Sequence, residues 1–194
     1  MEAGGADILS YNVAVDLSGG GSGPWTTNPQ GSESDDASLI AVLQPLAEGQ
    51  LFYFKYRAKN AHGWGPYSPI MAVRMANKPD QLAPATVTNV GTMVEIDWNP
   101  TPNDRNSEVF EYRIKIKRSD GTFVEHPECD GSDQSVIDNT VCNVSMASLL
   151  EADFWLNQGD EIKVTVEAMN QIDYSLPSEV AGTALVQTKP HAPL

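Results

Sequence analysis

The residues able to do chemistry in this 194-residue chain are few and scattered. Three histidines, His62, His126 and His191, stand far apart, and the two cysteines, Cys129 and Cys142, are separated by 13 positions with no Cys-x-x-Cys pair. Zinc takes four clustered ligands, which this spacing does not supply. Two thiols so placed suit a single disulfide closing a loop between strands, with two reduced thiols as the alternative; a disulfide would imply an oxidising compartment. There is no Gly-x-Ser-x-Gly elbow and no His-Glu-x-x-His, and no spacing pairs a nucleophile with a base. The chain therefore reads as non-enzymatic, with no catalytic residue, cofactor or metal site expected. The run Asp130-Gly131-Ser132-Asp133 lacks the alternating acids and terminal glutamate of a calcium loop and reads as a solvated turn, as do Glu33, Asp35 and Asp36.

Two clusters remain. Asn143-Val144-Ser145 is the one glycosylation sequon, and if Cys142, Val144 and Met146 point inward along a strand, Asn143 and Ser145 point to solvent, where an N-glycan fits. Gly63-Trp64-Gly65-Pro66-Tyr67-Ser68 follows a segment in which Tyr53, Lys55, Arg57 and Lys59 alternate on one strand face. Trp64 over Arg57 or Lys55 would make a cation–π contact. The cluster Trp64, Tyr67, Arg57, Lys55 and Tyr53 is either a local staple or a partner-binding patch, since aromatic-plus-Arg clusters make good interface anchors.

Charge narrows the partners. Against 26 Asp and Glu there are 12 Lys and Arg, a formal charge of −14, which repels nucleic-acid backbones and anionic membrane surfaces. No apolar run approaches the roughly 20 residues of a membrane-spanning helix, and Met1–Ala6 lacks the basic-then-apolar pattern of a signal peptide. The 15 Gly and 13 Pro suit a turn-rich β protein.

The elements that must position these residues come in two copies. The stretch from Leu46 to Asn60 recurs 110 positions on, from Leu156 to Asn170, with Gly49 matched by Gly159. In both copies every second residue after the glycine is apolar: Phe52, Phe54, Tyr56 and Ala58, then Ile162, Val164, Val166 and Ala168. Period two predicts a strand with one buried face. Ile8–Val15 matches Val109–Ile116, and Asn77-Lys78-Pro79 is echoed by Thr188-Lys189-Pro190. The second copy predicts seven strands, at about 85–90, Met93–Trp98, Val109–Lys117, Thr122–Glu125, Val141–Met146, Glu161–Met169 and about 180–186, a sandwich pattern. The first predicts Ile8–Leu17, a short strand at Trp25–Thr27, Ala37–Leu43 and the repeated strand, and lacks counterparts of the first two. The expected division is residues 1–76, a domain without its first two strands; 77–188, a complete domain; and 189–194, the start of a linker to a next repeat. The chain thus reads as a window on a longer tandem array, with an upstream segment or a neighbouring copy expected to supply the missing strands.

Leu-x-x-Gly-x-x-aromatic-x-apolar-x-apolar-x-Ala-x-Asn followed by Gly-x-Gly-x-x-Ser (Leu46, Gly49, Phe52, Phe54, Tyr56, Ala58, Asn60, Gly63, Gly65, Ser68) resembles the F strand and F–G loop of fibronectin type III domains. Leu156, Gly159, Ile162, Val164, Val166, Ala168, Asn170 and Ser178 repeat it; Trp98 matches that family's core tryptophan and Tyr112 its strand C tyrosine. The resemblance implies an all-β chain of tandem fibronectin type III, immunoglobulin-like β-sandwiches. Gly4–Asn12, Arg57–Gly65, Ser119–Thr122 and the segments around Cys129 and Cys142 are similar to repeats of very large multi-repeat proteins of protists, in which paired cysteines recur and which are secreted or lie at the cell surface. The family's tyrosine before strand F is here Phe52 or Ile162, which keeps the apolar contact and loses a hydrogen bond. Gly63–Ser68 resembles in position the Trp-Ser-x-Trp-Ser element of cytokine-receptor fibronectin domains.

The expected function is a structural or adhesive extracellular segment, part of a fibre or surface coat that associates with like copies or neighbouring repeats, its domains joined by the stiff Lys78-Pro79 linker. The alternatives are a ligand-binding receptor ectodomain fragment using the Trp64 patch and an accessory module of a giant secreted enzyme.

Overall fold

The computed structural model describes residues 5–27 and 47–189. The chain divides into two units, Met1–Ala76 and Asn77–Leu194.

In unit 1 the described residues form one antiparallel sheet. β1 (Ser10–Asp16) is flanked by β2 (Thr26–Thr27) and by β3 (Leu51–Asn60), and the far side of β3 carries β4 (Gly63–Trp64) and β5 (Met71–Arg74). The β1–β3 register sets Val13 opposite Tyr56 and Val15 opposite Phe54, so these residues share one face with Phe52; Ala14 opposite Lys55 and Asn12 opposite Arg57 share the other. β5 adds Met71 and Val73 to the apolar face. The expected strand at Ala37–Leu43 lies outside the described residues, and β4 and β5 were not anticipated.

Unit 2 is a two-layer sandwich. β6 (Thr86–Val90), β7 (Met93–Asp97) and β10 (Val141–Ser145) form one sheet in the order β10-β7-β6. β8 (Glu111–Lys117), β9 (Phe123–Glu125) and β11 (Val164–Met169) form the other, in the order β11-β8-β9. Val87, Val94, Ile96 and Val144 from the first layer meet Tyr112, Ile114, Ile116, Val164 and Val166 from the second in a single buried cluster. Trp98 closes it, packing edge-on against Tyr112 with ring centres 5.3 Å apart.

The repeat holds at the level of single hydrogen bonds. Ser68 N–H donates to the Tyr56 carbonyl while Tyr56 N–H donates to Ser68 Oγ; Ser178 and Val166 make the same pair of bonds. Gly49 N–H reaches the Met75 carbonyl, and Gly159 N–H the Val186 carbonyl. Phe52 and Ile162, in the place of the family's tyrosine, are both buried.

Four expectations need correction. Phe54, Tyr56 and Ala58 are only half-buried, whereas their counterparts Val164, Val166 and Ala168 are sealed. The reason is that β6, β7 and β10 cover the unit 2 face, while the described residues of unit 1 contain no second sheet. The final strand at about 180–186 is irregular: Ile162 pairs with Ala184 and Val164 with Ala181, so Lys163 alone stands against Gly182 and Thr183, which is a bulge. Gly182 makes it possible, since a Cβ there would lie 2.0 Å from the Ile162 carbonyl oxygen. For the same reason the regular part of the strand expected at Glu161–Met169 begins at Val164. Lastly, two short helices replace expected coil and strand end, α1 (Gln134–Asn139) and α2 (Met146–Leu150). Asp133 caps α1 by accepting from Ser135 N–H, and Ser145 caps α2 by accepting from Ser148 N–H.

Candidate functional site

Alternate residues of β3 stand about 6.6 Å apart on one face, room for one ring between successive cations. The neighbouring β1 offers Ser10, Asn12 and Ala14 on that face, all buried, and small enough to lie under long side chains. Lys55, Arg57 and Lys59 extend over them, and three aromatic rings fill the gaps. Lys55 Nζ lies 3.9 Å from the Trp25 ring centre and 4.7 Å from that of Tyr67. The Arg57 guanidinium lies 4.5 Å from Tyr67 and 4.7 Å from Trp64, and Lys59 Nζ 5.3 Å from Trp64. The result is an alternating ladder: Trp25, Lys55, Tyr67, Arg57, Trp64, Lys59.

Three backbone features hold it. Gly63, at φ 122°, turns the chain back along β3. Gly65 N–H and Ser68 N–H then bond the Ala58 and Tyr56 carbonyls, pinning the segment that carries Tyr67. The Tyr67 hydroxyl donates to Asn12 Oδ1 at 2.9 Å, fixing the ring's tilt. On the first side, Asp16 orders the Gly-rich turn before Trp25 by accepting from Ser18 N–H, Ser18 Oγ and Gly23 N–H. These bonds, led by the Ser18 hydroxyl, hold its carboxyl below the usual range.

Among the sequence-singled residues, Trp64, Tyr67, Arg57 and Lys55 are brought together. Tyr53 stands apart, its ring against Gly21 of the turn. Trp25 was missed as a ladder member, because it arrives just before β2, thirty positions before Lys55, and no local spacing links the two. Unit 2 builds the same face with carboxylates: Lys115 pairs with Glu167 at 2.7 Å, and Arg113 pairs with Glu125 at 3.0 Å while lying 3.4 Å over Tyr174. In unit 1, Lys55 and Arg57 face rings instead, and Arg57 Nε is buried with no hydrogen-bond partner.

Elsewhere, Cys129 and Cys142 form a disulfide with Cα atoms 5.3 Å apart, leaving no free thiol. Asn143 is exposed on β10, beside the bridge. His62 is exposed in the turn after β3, whereas His126 is buried in unit 2, its Nδ1 accepting from Glu128 N–H. His191 lies outside the described residues. Asp130 binds the Ser132 N–H and hydroxyl within its turn. Among the described residues, no three metal-ligating side chains gather, and no helix is long and apolar enough to cross a membrane.

The crystal structure of the chicken CNTN1 FN1–FN3 domains matches 92% of this chain with a TM-score of 0.56 at 14% identity, over 56% of that structure. The fold is that of fibronectin type III domains. In sequence, the chain is similar to contactin-5 of Gallus gallus, 35% identical over 89 residues, which are 43% of this chain and 8% of that protein. Human fibronectin type-III domain-containing protein 3A is 30% identical over 96 residues, 48% of this chain and again 8% of the relative. The match thus spans about a twelfth of the length of these relatives. No family model matches the chain.

Proposed function

We propose that this chain is a structural or adhesive, non-enzymatic segment of an extracellular tandem-repeat protein, part of an extended fibre or surface coat. The observation that carries the reading is the half-exposed apolar face of unit 1. Met71 is 49% and Val73 37% exposed beside half-buried Phe54 and Tyr56, and contiguous apolar surface of this kind marks a contact site. The counterpart face in unit 2 lies under a second sheet, so the ligand that fits unit 1 is another β layer, from a neighbouring repeat or a like copy. On this reading residues 1–76 are a fibronectin type III domain without its first two strands. The Cys129–Cys142 disulfide supports an oxidising compartment, and exposed Asn143 is the place for an N-glycan. The CNTN1 structure, itself a run of such domains, supports the tandem setting.

The experiment is sedimentation velocity across a concentration series. Association at about 10–100 μM that is lost in Phe54→Ser is expected, and a monomer throughout would overturn self-association. Intact mass before and after reduction and glycosidase treatment tests the compartment: a gain of 2 hydrogens on reduction and a sugar lost from Asn143 are expected.

The ladder favours a second reading, a receptor ectodomain fragment that meets its ligand through Trp64, Tyr67, Arg57 and Lys55. Its supporting observation is that two cations on a chain of charge −14 are matched to rings and not to carboxylates.

A further inference from the structure

Of the four tryptophans, Trp25 and Trp64 sit under cations and Trp98 is in the core. Trp155 is 63% exposed and has no ring or cation partner among the described residues. Its backbone is in the left-handed region at φ 53°, a conformation a bulky side chain adopts only when its surroundings impose it. They do: Phe154 and Leu156 on either side are buried, Trp155 N–H bonds the Glu151 carbonyl, and the Phe154 carbonyl accepts from Ser119 N–H of the β8–β9 turn. The backbone that carries the indole is thereby fixed, and Trp155 lines a cleft of about 210 Å³ together with Arg118, Ser119, Asp120, Asp153 and Phe154.

The walls define the ligand. The volume is below the roughly 300–1,000 Å³ of pockets that enclose a drug-sized molecule, leaving space for one ring. The lining offers acceptors and a donor together. Asp120 uses Oδ1 for the Thr122 N–H and hydroxyl, keeping Oδ2; Asp153 accepts no hydrogen bond among the described residues; and Arg118 Nε is buried without a partner, its guanidinium 5.9 Å from the Phe154 ring centre. An apolar ligand would strip these polar groups of water without replacing it. The paired carboxylates oppose an anion, and the guanidinium in the wall opposes a cation. A neutral pyranose meets every requirement: an apolar C–H face to lie on the exposed indole, hydroxyls to donate to Asp120 and Asp153, and a ring or hydroxyl oxygen to accept from Arg118.

We propose that Trp155 and the Asp120–Asp153–Arg118 cleft form a binding site for one neutral sugar ring of a glycan. The site belongs to unit 2 and does not depend on the adhesive reading of unit 1.

The test is a titration of the full ¹⁵N-labelled chain with cellotriose, mannotriose and chitotriose in turn, following the four indole N–H resonances by NMR. At least one sugar is expected to shift the Trp155 resonance with a Kd of about 1–10 mM, leaving those of Trp25, Trp64 and Trp98 in place. Asp153→Asn should weaken that binding several-fold, and Trp155→Ala, an exposed position whose loss leaves the core intact, should abolish the accompanying Asp120 and Asp153 backbone shifts. No shift up to about 50 mM with any of the three, or unchanged backbone shifts in Trp155→Ala, overturns the proposal. So does a saturable shift with Nα-acetyl-lysine methylamide alone, which would assign the cleft to a basic side chain of a protein.

Discussion

At the scale of single residues, position in the fold decides what a side chain can do. His62 and His126 are the same residue type, yet one is exposed on a turn and the other lies in a buried setting 5.0 Å from the Phe154 ring centre. Burial pushes the His126 imidazole below its ordinary value, against smaller opposing pulls from Glu128 and Asp153. Because the folded pKa is the lower one, the unfolded chain takes up a proton first as pH falls. The stabilisation is complete above the unfolded value of about 6.5 and is lost progressively below it. Denaturation midpoints of unit 2 should therefore fall between pH 7.5 and 5.5, and His126→Phe should flatten that slope. Equal slopes in both proteins would show that His126 takes no part. Asp16 works in the same direction at lower pH: its lowered pKa adds stability above the ordinary carboxylate value, lost as pH falls through that range.

At the scale of elements, alternation makes the strands, and glycines decide where they bend. β8 follows its pattern residue by residue, with Tyr112, Ile114 and Ile116 buried and Glu111, Arg113, Lys115 and Lys117 half-buried on the outer face. The last strand of unit 2 cannot, because the bulge at Gly182 inserts one residue against β11. Gly182 sits at φ 147° with the Ile162 carbonyl in the way of any Cβ. Gly182→Ala is expected to destabilise unit 2 by at least about 2 kcal/mol, measured by urea denaturation. A loss within about 0.5 kcal/mol would mean that the final strand re-registers freely.

At the scale of the whole molecule, the two units differ in how much they bury. All of the main apolar cluster belongs to unit 2, whereas in unit 1 the buried hydrophobics among the described residues are Ala14, Val15 and Phe52. Unit 1 leans on its cation–aromatic ladder, where each contact is worth about 0.5–1 kcal/mol at an exposed site. Thermal unfolding should accordingly show two transitions, unit 1 melting first. The Cys129–Cys142 loop constrains only unit 2, by about 3 kcal/mol on the chain-entropy model. Reduction should lower the upper transition and leave the lower one in place, as read by calorimetry with and without reductant. One transition that moves as a whole would show the units to be thermodynamically coupled.

Much of this protein was legible in the linear order of its residues. Strict period two from Phe52 to Ala58 and from Ile162 to Ala168, the glycine before each, and the serine after each loop specify a strand and its return because each acts over a few residues. The same local logic placed Lys55, Arg57 and Trp64 on one face. Whether a face is covered is not local: Phe54 and Val164 occupy equivalent positions, and only the presence of β6, β7 and β10 over one of them separates half-buried from sealed. Trp25 joined the ladder, Tyr53 left it and Trp155 was turned outward over its cleft for the same reason. Those outcomes depend on which distant backbone lies alongside, and that is settled when the sheets assemble.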